Sequence, residues 1–243
     1  MTFCLAMKVK EGLVGIADTR ITSGKECITA KKVTIRQGTN QHAVFFMTSG
    51  LRSLRDKALT YFHEVIEEED QTFNKLYKMV NALGEQIKRV AREDKQSIEE
   101  NGLHFNLYTI VAGQLEDDPE PMLYMLYPEG NWVEVGEGSP YFMIGNTGHG
   151  KPLLDRVLRY DSSLEFALKV GFLSFNSTQV SANDADYPID IVVSPKDSFQ
   201  IIEQRFDRAD MQRYSTWWQE RIAQSINEMP DEWVNMVFNK TTE

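Results

Sequence analysis

Strand-like and helix-like stretches alternate in blocks along this sequence, and the order of the blocks limits the folds that the chain can adopt. Strands come first, followed by two helical stretches, further strands, two more helical stretches, a last pair of strands and a terminal helix. Strands in blocks separated by paired helices favour two stacked sheets with helices outside them. We therefore predict an α+β fold, a four-layer αββα sandwich.

The two kinds of stretch are recognised by the spacing of their apolar residues. In residues 51–65 and 73–90, apolar residues recur every three or four positions, as on one face of an amphipathic helix. Further helices are predicted around residues 153–160 and 164–175. The predicted strands are short apolar runs bounded by turn residues, at 3–7, 13–17, 33–36, 43–47, 104–112, 122–127, 132–135, 141–144, 189–193 and 199–203.

No linker, repeat or low-complexity segment divides the chain, so we predict one compact αββα domain over residues 1–205. Residues 206–243 form a predicted helical extension that contains Trp217, Trp218 and Trp233. Tryptophan and tyrosine are enriched at interfaces. Two interpretations therefore stay open: the extension packs on its own domain, or it contacts a neighbouring subunit.

Net charge and the length of apolar runs exclude several classes of function. The chain carries a formal charge of −10, whereas binding to nucleic acid needs a basic face, so no nucleic-acid partner is expected. No apolar run approaches the roughly 20 residues of a membrane-spanning helix. Lys8 and Lys10 interrupt the only apolar stretch at the N-terminus. We therefore predict a cytoplasmic protein with no membrane partner.

Cysteine and histidine patterns give no sign of a metal site, and we expect no cofactor. Cys4 and Cys27 lack the spacing of a metal-binding pair, and the four histidines are scattered, with no HExxH motif. Positive charge nonetheless collects in the first 50 residues, which hold seven Lys or Arg against three acidic residues. This basic segment is where we place the chemistry.

Thr2 follows Met1 directly, and a small second residue is what removal of the initiator methionine requires. The mature chain would then begin with a threonine that carries both a hydroxyl and a free α-amine. A hydroxyl is a weak nucleophile unless a base accepts its proton. An α-amine with a pKa of about 7.7–8.0 can act as that base. Thr2 is therefore a candidate nucleophile that brings its own base.

Further candidates follow within the first 50 residues. Asp18 and Arg20 end the second predicted strand two positions apart, so both project from one face. Lys32 precedes the third strand. Thr48-Ser49-Gly50 ends the fourth strand where a helix begins, and backbone N–H groups there are free to bind an oxyanion. Taken singly, these residues have plain alternatives as a surface ion pair, a solvated lysine and a turn.

In order and spacing these residues resemble the β-subunit family of the proteasome, whose members are N-terminal-nucleophile hydrolases, and within it the bacterial Anbu (ancestral beta subunit) branch. The similar segments are TFCLAMKVKEGLVGIADTR, IGNTGHGKPLLDRVL, SFNSTQVSANDADYPIDIVV and RYSTWWQERIAQSINEMPDEW. The resemblance thus runs from Thr2 nearly to the C-terminus. It implies the same αββα fold, a peptide or amide substrate, and a large homo-oligomer of identical subunits, as a ring or an open helical stack.

The resemblance also implies a role for each matching residue. Thr2 supplies the nucleophilic hydroxyl and the amine base. Lys32 lowers the pKa of that amine, and Asp18 orients Lys32. Arg20 supports the loop, and the N–H of Gly50 binds the oxyanion. Substrate binding is implied for Thr22, Thr48 and Asn146.

Three positions depart from the proteasome pattern. Asn146 stands where proteasomes have a serine near the amine, and Asn176, with Ser181 after it, stands where they have an aspartate. An asparagine can orient an amine by hydrogen bonding but brings no negative charge. Two functions therefore stay open: a threonine-type amidohydrolase or peptidase, and an idle proteasome-like ring that serves as a scaffold or binding chamber.

One motif suggests a third function, nucleotide binding. Residues 145–151, GNTGHGK, fit G-x-x-x-x-G-K between a predicted strand and a predicted helix, which is the context of a phosphate-binding loop. The next residue, Pro152, offers neither a hydroxyl for Mg²⁺ nor a backbone N–H for phosphate. A proline at the first helical position is also an ordinary helix start. Nucleotide binding therefore ranks below the other two functions.

Overall fold

The structure is a computed structural model of the 243-residue chain. It describes residues 2–23, 26–38, 42–69 and 73–238, with the backbone alone for residues 22, 23, 26, 27 and 69. Its contacts divide the chain into two compact units, one ending at Asp207 and the other starting at Arg208. Among the described residues, every strand belongs to the first unit.

The described residues form strands and helices in the following order along the chain. The strands are β1 (Phe3–Val9), β2 (Gly12–Asp18), β3 (Arg20–Ser23), β4 (Glu26–Thr29), β5 (Val33–Gln37), β6 (Ala43–Gly50), β7 (Leu107–Gln114), β8 (Met122–Leu126), β9 (Trp132–Glu134), β10 (Tyr141–Gly145), β11 (Ile189–Pro195) and β12 (Ile202–Phe206). The helices are α1 (Arg52–Glu69), α2 (Leu76–Glu100), α3 (Lys151–Val157), α4 (Leu164–Ser181), α5 (Arg208–Asn227) and α6 (Glu232–Phe238).

The first sheet has the strand order β10-β1-β2-β11-β12, and its neighbouring strands are antiparallel. The hairpin of β1 and β2 lies at its centre, with Cys4 opposite Ala17 and Met7 opposite Val14. Every residue of these two strands is buried. A strand that is covered on both faces has a continuous apolar sequence, which explains the runs FCLAM and LVGIA.

The second sheet has the order β5-β6-β7-β8-β9 and is also antiparallel. Strands that follow one another along the chain are neighbours in this sheet, although α1 and α2 intervene between β6 and β7. β3 and β4 form a separate two-stranded hairpin. This hairpin follows Asp18 directly, so it starts at the end of the first sheet where Thr2 lies.

Four layers result from the way in which the two sheets pack. The inner faces of the sheets share one core, in which Cys4 and Leu13 of the first sheet meet Phe45 and Met47 of the second. Apolar residues of α1 and α2 pack on the outer face of the second sheet. On the first sheet, α4 packs so closely that a side chain at Gly171 would collide with its neighbours. The predicted αββα sandwich is confirmed.

Several predicted element boundaries were wrong, and the hairpin of β3 and β4 was not predicted. The last strand begins at Ile202 and not at Phe199, because Asp197 and Phe199 have φ values of 58° and 50° that form a turn. The strand predicted from residue 104 begins at Leu107. These differences arise at turns, where apolar spacing carries no information.

The second unit consists of α5 and α6. Most of its apolar side chains are exposed, including Trp217, Trp233 and Phe238. In the part of the chain that the structure describes, no helix is long and apolar enough to cross a bilayer. The predicted boundary at residue 205, and the surface on which this extension packs, stay predictions.

Candidate active site

Thr2 immediately precedes β1 at the edge of a cleft between the two sheets. Its carbonyl oxygen accepts a hydrogen bond of 2.6 Å from the backbone N–H of Asn146. Gly145, the last residue of β10, lies opposite Phe3 with a φ of 91°. A Cβ at Gly145 would overlap the Thr2 carbonyl group. Glycine is therefore required here for β10 to hold Thr2 in place.

Asp18 connects the backbone of Thr2 to Lys32. Its Oδ1 atom accepts hydrogen bonds from the N–H of Phe3 at 2.7 Å and from Nζ of Lys32 at 2.6 Å. The Phe3 N–H belongs to the Thr2–Phe3 peptide bond, so one carboxylate oxygen fixes both the candidate nucleophile and the lysine. Asp18 can do this because it is the last residue of β2, and the end of β2 lies beside the start of β1 in the sheet.

The Lys32 ammonium group is fixed by a second acceptor. Its Nζ also donates to the carbonyl oxygen of Arg20 at 2.6 Å, and the N–H of Arg20 donates to Oδ2 of Asp18 at 3.2 Å. Asp18 and Lys32 are only 0% and 4% exposed. A buried ion pair needs such additional hydrogen bonds to offset the loss of hydration.

The environment of Asp18 acts on its pKa in two directions. Burial raises the pKa of the carboxyl above its ordinary value, whereas Lys32 and the N–H groups of Phe3 and Arg20 lower it. Burial is the larger of these influences. The carboxylate is thus held in a site where its charge is poorly hydrated, and it depends on the three donors around it.

The backbone at Gly50 faces the same cleft. The Thr48 N–H points to the β5 side of β6 and donates to the Lys32 carbonyl oxygen at 3.4 Å, while the Leu51 N–H points to the β7 side and donates to Asn106 at 3.2 Å. Because N–H directions alternate along a strand, the Gly50 N–H points to the β5 side. The pairing of β5 with β6 begins at Val33, which lies opposite Met47. Gly50 lies beyond this paired stretch, so its N–H points into the cleft.

Gly50 cannot be replaced without moving the chain. Its φ is 137°, and a Cβ would overlap the carbonyl group of Asn106. A side chain here is therefore excluded by both backbone conformation and space. The glycine allows the strand to turn into α1 while an N–H group stays at the cleft.

These groups meet in one cavity of about 400 Å³. Thr2, Lys32, Thr48 and Gly50 all line it, so the structure brings together residues that are 48 positions apart in the sequence. The other described lining residues are Arg20, Ile21, Ser49, Leu51, Arg52, Arg55, Asn106 and Leu107.

Of three other predicted site residues, two lie elsewhere in the fold, and the side chain of the third is not described by the structure. Asn176 is 3% exposed in the second half of α4, and Ser181 is exposed at the end of that helix. Neither is among the described residues that line the cavity. Thr22 belongs to β3, but its side chain lies outside the described part of the structure.

Two aspartates that the sequence analysis did not select lie beside the site. The Asn146 carboxamide donates from Nδ2 to Asp184 at 3.4 Å, and the Arg20 guanidinium donates to Asp186 at 3.3 Å. The loop that carries these aspartates is attached to the end of β2, since both the N–H and the hydroxyl of Thr19 donate to the Pro188 carbonyl oxygen. The acidic run NDAD between α4 and β11 was the available signal.

The glycine-rich segment at residues 145–151 forms a different environment. Lys151 donates from Nζ to the Tyr141 hydroxyl at 2.8 Å and to Asp155 at 3.0 Å. The side chain that would bind phosphate is therefore already engaged by the protein. The Tyr141 hydroxyl in turn donates to Asp155. This arrangement gives no support to nucleotide binding.

No metal site is formed by the residues that the structure describes, since no group of three or more His, Cys, Asp or Glu side chains comes together among them. Cys4 is buried and free of any disulfide. Burial raises the pKa of its thiol, despite the opposing influence of Lys32.

Comparison with known families gives a match over most of the chain. The family model described as proteasome subunit matches residues 2–193 of the chain. This match includes Thr2, both sheets up to β11, and α1 to α4. No curated protein matches the chain.

Anbu proteins are among the similar solved structures. Anbu from Hyphomicrobium sp. strain MC1 is 28% identical, with a TM-score of 0.84 over 94% of this chain and 98% of its own. Anbu from Yersinia bercovieri is 24% identical, with a TM-score of 0.86 over 94% and 97%. The helical assembly of the Anbu complex from Pseudomonas aeruginosa is 23% identical, with a TM-score of 0.84 over 94% and 97%. The last two establish similarity of fold alone.

Proposed function

This chain belongs to the proteasome subunit family, and we propose that it is a threonine-type amidohydrolase or peptidase with Thr2 as its nucleophile once Met1 has been removed. The observation that supports this function best is the position of Asp18. One oxygen of its carboxylate accepts from the Thr2–Phe3 peptide and from Lys32. Nucleophile and lysine are therefore held by the same buried group at one cavity.

The first chemical step uses the α-amine of Thr2 as the base. The amine accepts the proton of the Thr2 hydroxyl while the oxygen attacks the carbonyl carbon of an amide, so that a tetrahedral oxyanion forms. The Lys32 ammonium near this amine disfavours its protonated form and so lowers its pKa towards neutral pH. Asp18 and the Arg20 carbonyl oxygen hold that ammonium in place.

The second step releases the amine product. The oxyanion collapses, the carbon–nitrogen bond breaks, and the proton held by the α-ammonium passes to the leaving nitrogen. An ester between Thr2 and the acyl group remains. Water attacks this ester with the α-amine again as base, which releases the acid and restores the threonine.

The Gly50 N–H stabilises the oxyanion in both steps, because its direction along β6 brings it to the cavity. Thr48 lines the same cavity, and Thr22 lies on the neighbouring strand β3, where an extended substrate backbone can bind. Asn146 binds the Thr2 carbonyl through its N–H. A carboxylate accepts but cannot donate, so Asp184 directs the Asn146 amide nitrogen towards itself and leaves the amide oxygen to orient the α-amine.

The alternative of an idle proteasome-like ring depended on Asn176 in place of an aspartate. In the structure Asn176 is buried within α4 and is not among the described residues that line the cavity. In the proposed mechanism Asn176 has no role, because its side chain makes none of the contacts that hold Thr2 and Lys32 at Asp18. The carboxylates of Asp184 and Asp186 supply negative charge to the neighbourhood of Thr2 and Arg20 instead.

The test is covalent modification of Thr2 by a peptide epoxyketone, which reacts with the hydroxyl and the free amine of an N-terminal threonine. Intact mass spectrometry should show loss of Met1 and addition of one inhibitor. Thr2→Ala should abolish the adduct, whereas Thr60→Ala, at an exposed threonine of α1, should not. Retention of Met1, or equal labelling of Thr2→Ala, would exclude this mechanism.

We also propose that the chain forms a large homo-oligomer that encloses its sites, as a closed ring or an open helical stack. The support lies in the second unit, where Trp217 is 51%, Trp233 57% and Phe238 68% exposed. Repeated head-to-tail contacts close into rings or continue into helices, depending on the rotation between subunits. Light scattering after size exclusion should show a mass well above one chain. Deletion from Met211 onward should weaken the assembly, and a stable 27.9-kDa species would contradict it.

A further inference from the structure

The cavity at Thr2 is lined by positive charge, although the protein as a whole is acidic. Its described lining residues include the cations Arg20, Lys32, Arg52 and Arg55 and no carboxylate. The formal charge of the chain is −10. A cleft lined by charge of one sign attracts ligands of the opposite sign. The charge of the cavity is therefore a candidate determinant of the substrate.

The neighbouring carboxylates neutralise only part of this charge. Lys32 is paired with Asp18 and Arg20 with Asp186. Arg52 and Arg55 have to share one aspartate, Asp56. Arg55 donates to its Oδ1 from two nitrogens, at 2.8 Å and 2.7 Å, while Arg52 donates to its Oδ2 at 3.3 Å. One guanidinium charge thus remains in excess at this place.

Arg20 offers a bound substrate a further hydrogen-bond donor in the cavity. The Nε atom of Arg20 is buried and has no hydrogen-bond acceptor among the described residues. A buried donor without an acceptor is unfavourable, and Arg20 lines the cavity. An acceptor on a bound substrate would satisfy it. Both observations call for the same chemistry, an anionic group with hydrogen-bond acceptors.

The excess charge lies where the acyl part of a substrate must bind. Arg52 and Arg55 belong to the first turn of α1, directly after Gly50. Since the Gly50 N–H is the group that binds the attacked carbonyl oxygen, the side chain next to that carbonyl lies close to this turn. Arg55 and its partner Asp56 also line an adjoining cavity of about 380 Å³ together with Lys31, which provides room for such a side chain.

We propose that the site prefers acyl groups that carry a carboxylate, namely peptides with an acidic residue immediately before the scissile bond. The carboxylate binds Arg52 and Arg55 in charge-assisted hydrogen bonds. This specificity rests on the proposed function, because it concerns the acyl group that Thr2 accepts. It makes Arg52 and Arg55 specificity-determining residues.

The experiment uses three peptide epoxyketones that differ only in the residue next to the reactive group: Glu, Gln or Lys. Glu and Gln have the same shape, so the ratio of their rates of Thr2 modification isolates the effect of charge. In the wild-type protein we expect Glu to react at least about tenfold faster than Gln, as a charge-assisted hydrogen bond allows. Lys should react most slowly.

The ratio should fall towards one in Arg52→Gln and Arg55→Gln. Arg92→Gln is the matched control, since Arg92 is an exposed residue of α2 that does not line the cavity, and it should keep the wild-type ratio. A ratio within each variant is insensitive to partial unfolding. In the wild-type protein itself, the ratio should also decrease when salt is raised from about 50 to about 500 mM.

The outcomes separate this inference from the function on which it rests. Equal rates for Glu and Gln in the wild-type protein would overturn the specificity while leaving the threonine mechanism intact. A Glu preference that persists unchanged in both arginine variants would also overturn the assignment to Arg52 and Arg55. If none of the three inhibitors modifies Thr2, the proposed function fails, and the specificity fails with it.

Discussion

Two buried lysines lie near the opposite ends of β1, and each is paired with a carboxylate. At the beginning of the strand, Lys32 pairs with Asp18 at 2.6 Å, and their side chains are 3% and 0% exposed. Towards its end, Lys8 pairs with Glu120 at 2.8 Å, but here the side chains are 7% and 36% exposed. The lysines are similarly buried, whereas only Glu120 has access to water.

This difference reverses the effect on the carboxyl pKa. Burial raises the pKa of Asp18, while the hydrogen bond from Lys8 lowers the pKa of Glu120. Glu120 also accepts from the Tyr160 hydroxyl at 3.0 Å, so this pair holds β1 to two surface segments. The Asp18 pair instead holds the backbone of Thr2. The distances within the two ion pairs are similar and do not distinguish these roles. The solvent exposure of the two carboxylates does.

The largest expected difference between the pairs is in stability. Lys32→Met should lower the free energy of unfolding by about 3–5 kcal/mol, because it leaves Asp18 buried without its cation. Lys8→Met should cost about 1 kcal/mol, since Glu120 can be rehydrated. Urea unfolding measures both. The double variant Asp18→Asn/Lys32→Met should be more stable than Lys32→Met, and equal losses for the two lysines would invalidate the comparison.

The next difference concerns reactivity. Lys32→Met should slow epoxyketone modification of Thr2 by at least about 100-fold, in the range of positioned proton-transfer groups, because the α-amine then loses the cation that lowers its pKa. Lys8→Met should change the rate by less than about threefold. Rates are compared at a temperature at which circular dichroism shows both variants folded. A comparable loss in Lys8→Met would show that β1 transmits a structural effect to Thr2.

The smallest difference is in the pH dependence of stability. The lowered pKa of Glu120 contributes stability above about pH 4.3 that is lost as the pH falls through its folded value. The raised pKa of Asp18 acts in the opposite direction. As the pH falls from the pKa of Asp18 in the folded protein to its unfolded value of about 3.9, the folded protein takes up a proton and no longer bears the cost of a buried charge. Between about pH 6 and 3, Glu120→Gln should therefore make the loss of stability on acidification shallower, and Asp18→Asn should make it steeper.

Urea midpoints at several pH values give these slopes independently of the absolute stability of each variant. A change of slope in the same direction for both variants would contradict the opposite pKa shifts. The effect of Glu120 should be small because it is partly exposed and screened by solvent.

Local spacing was sufficient to predict the layers of the fold. The apolar positions of α1 and α2 recur every three or four residues, and the runs in β1 and β2 are continuous because both faces are buried. Such patterns depend on the residues of one element and on the environment of its faces. The hairpin of β3 and β4 and the start of β12 could not be predicted this way, since turns and short exposed strands have no apolar period.

The sequence by itself indicated Thr2 as a candidate, because its hydroxyl and its α-amine belong to one residue. It indicated Asp18, Lys32 and Gly50 through their order and spacing, which resemble those of proteasome β-subunits. Only the tertiary structure decided which residues join them. It brought Asp184 to Asn146, placed Arg52 and Arg55 at the cavity, and left Asn176 inside α4. These contacts depend on strand register and helix orientation between distant segments, where one residue of shift turns a side chain to the opposite face.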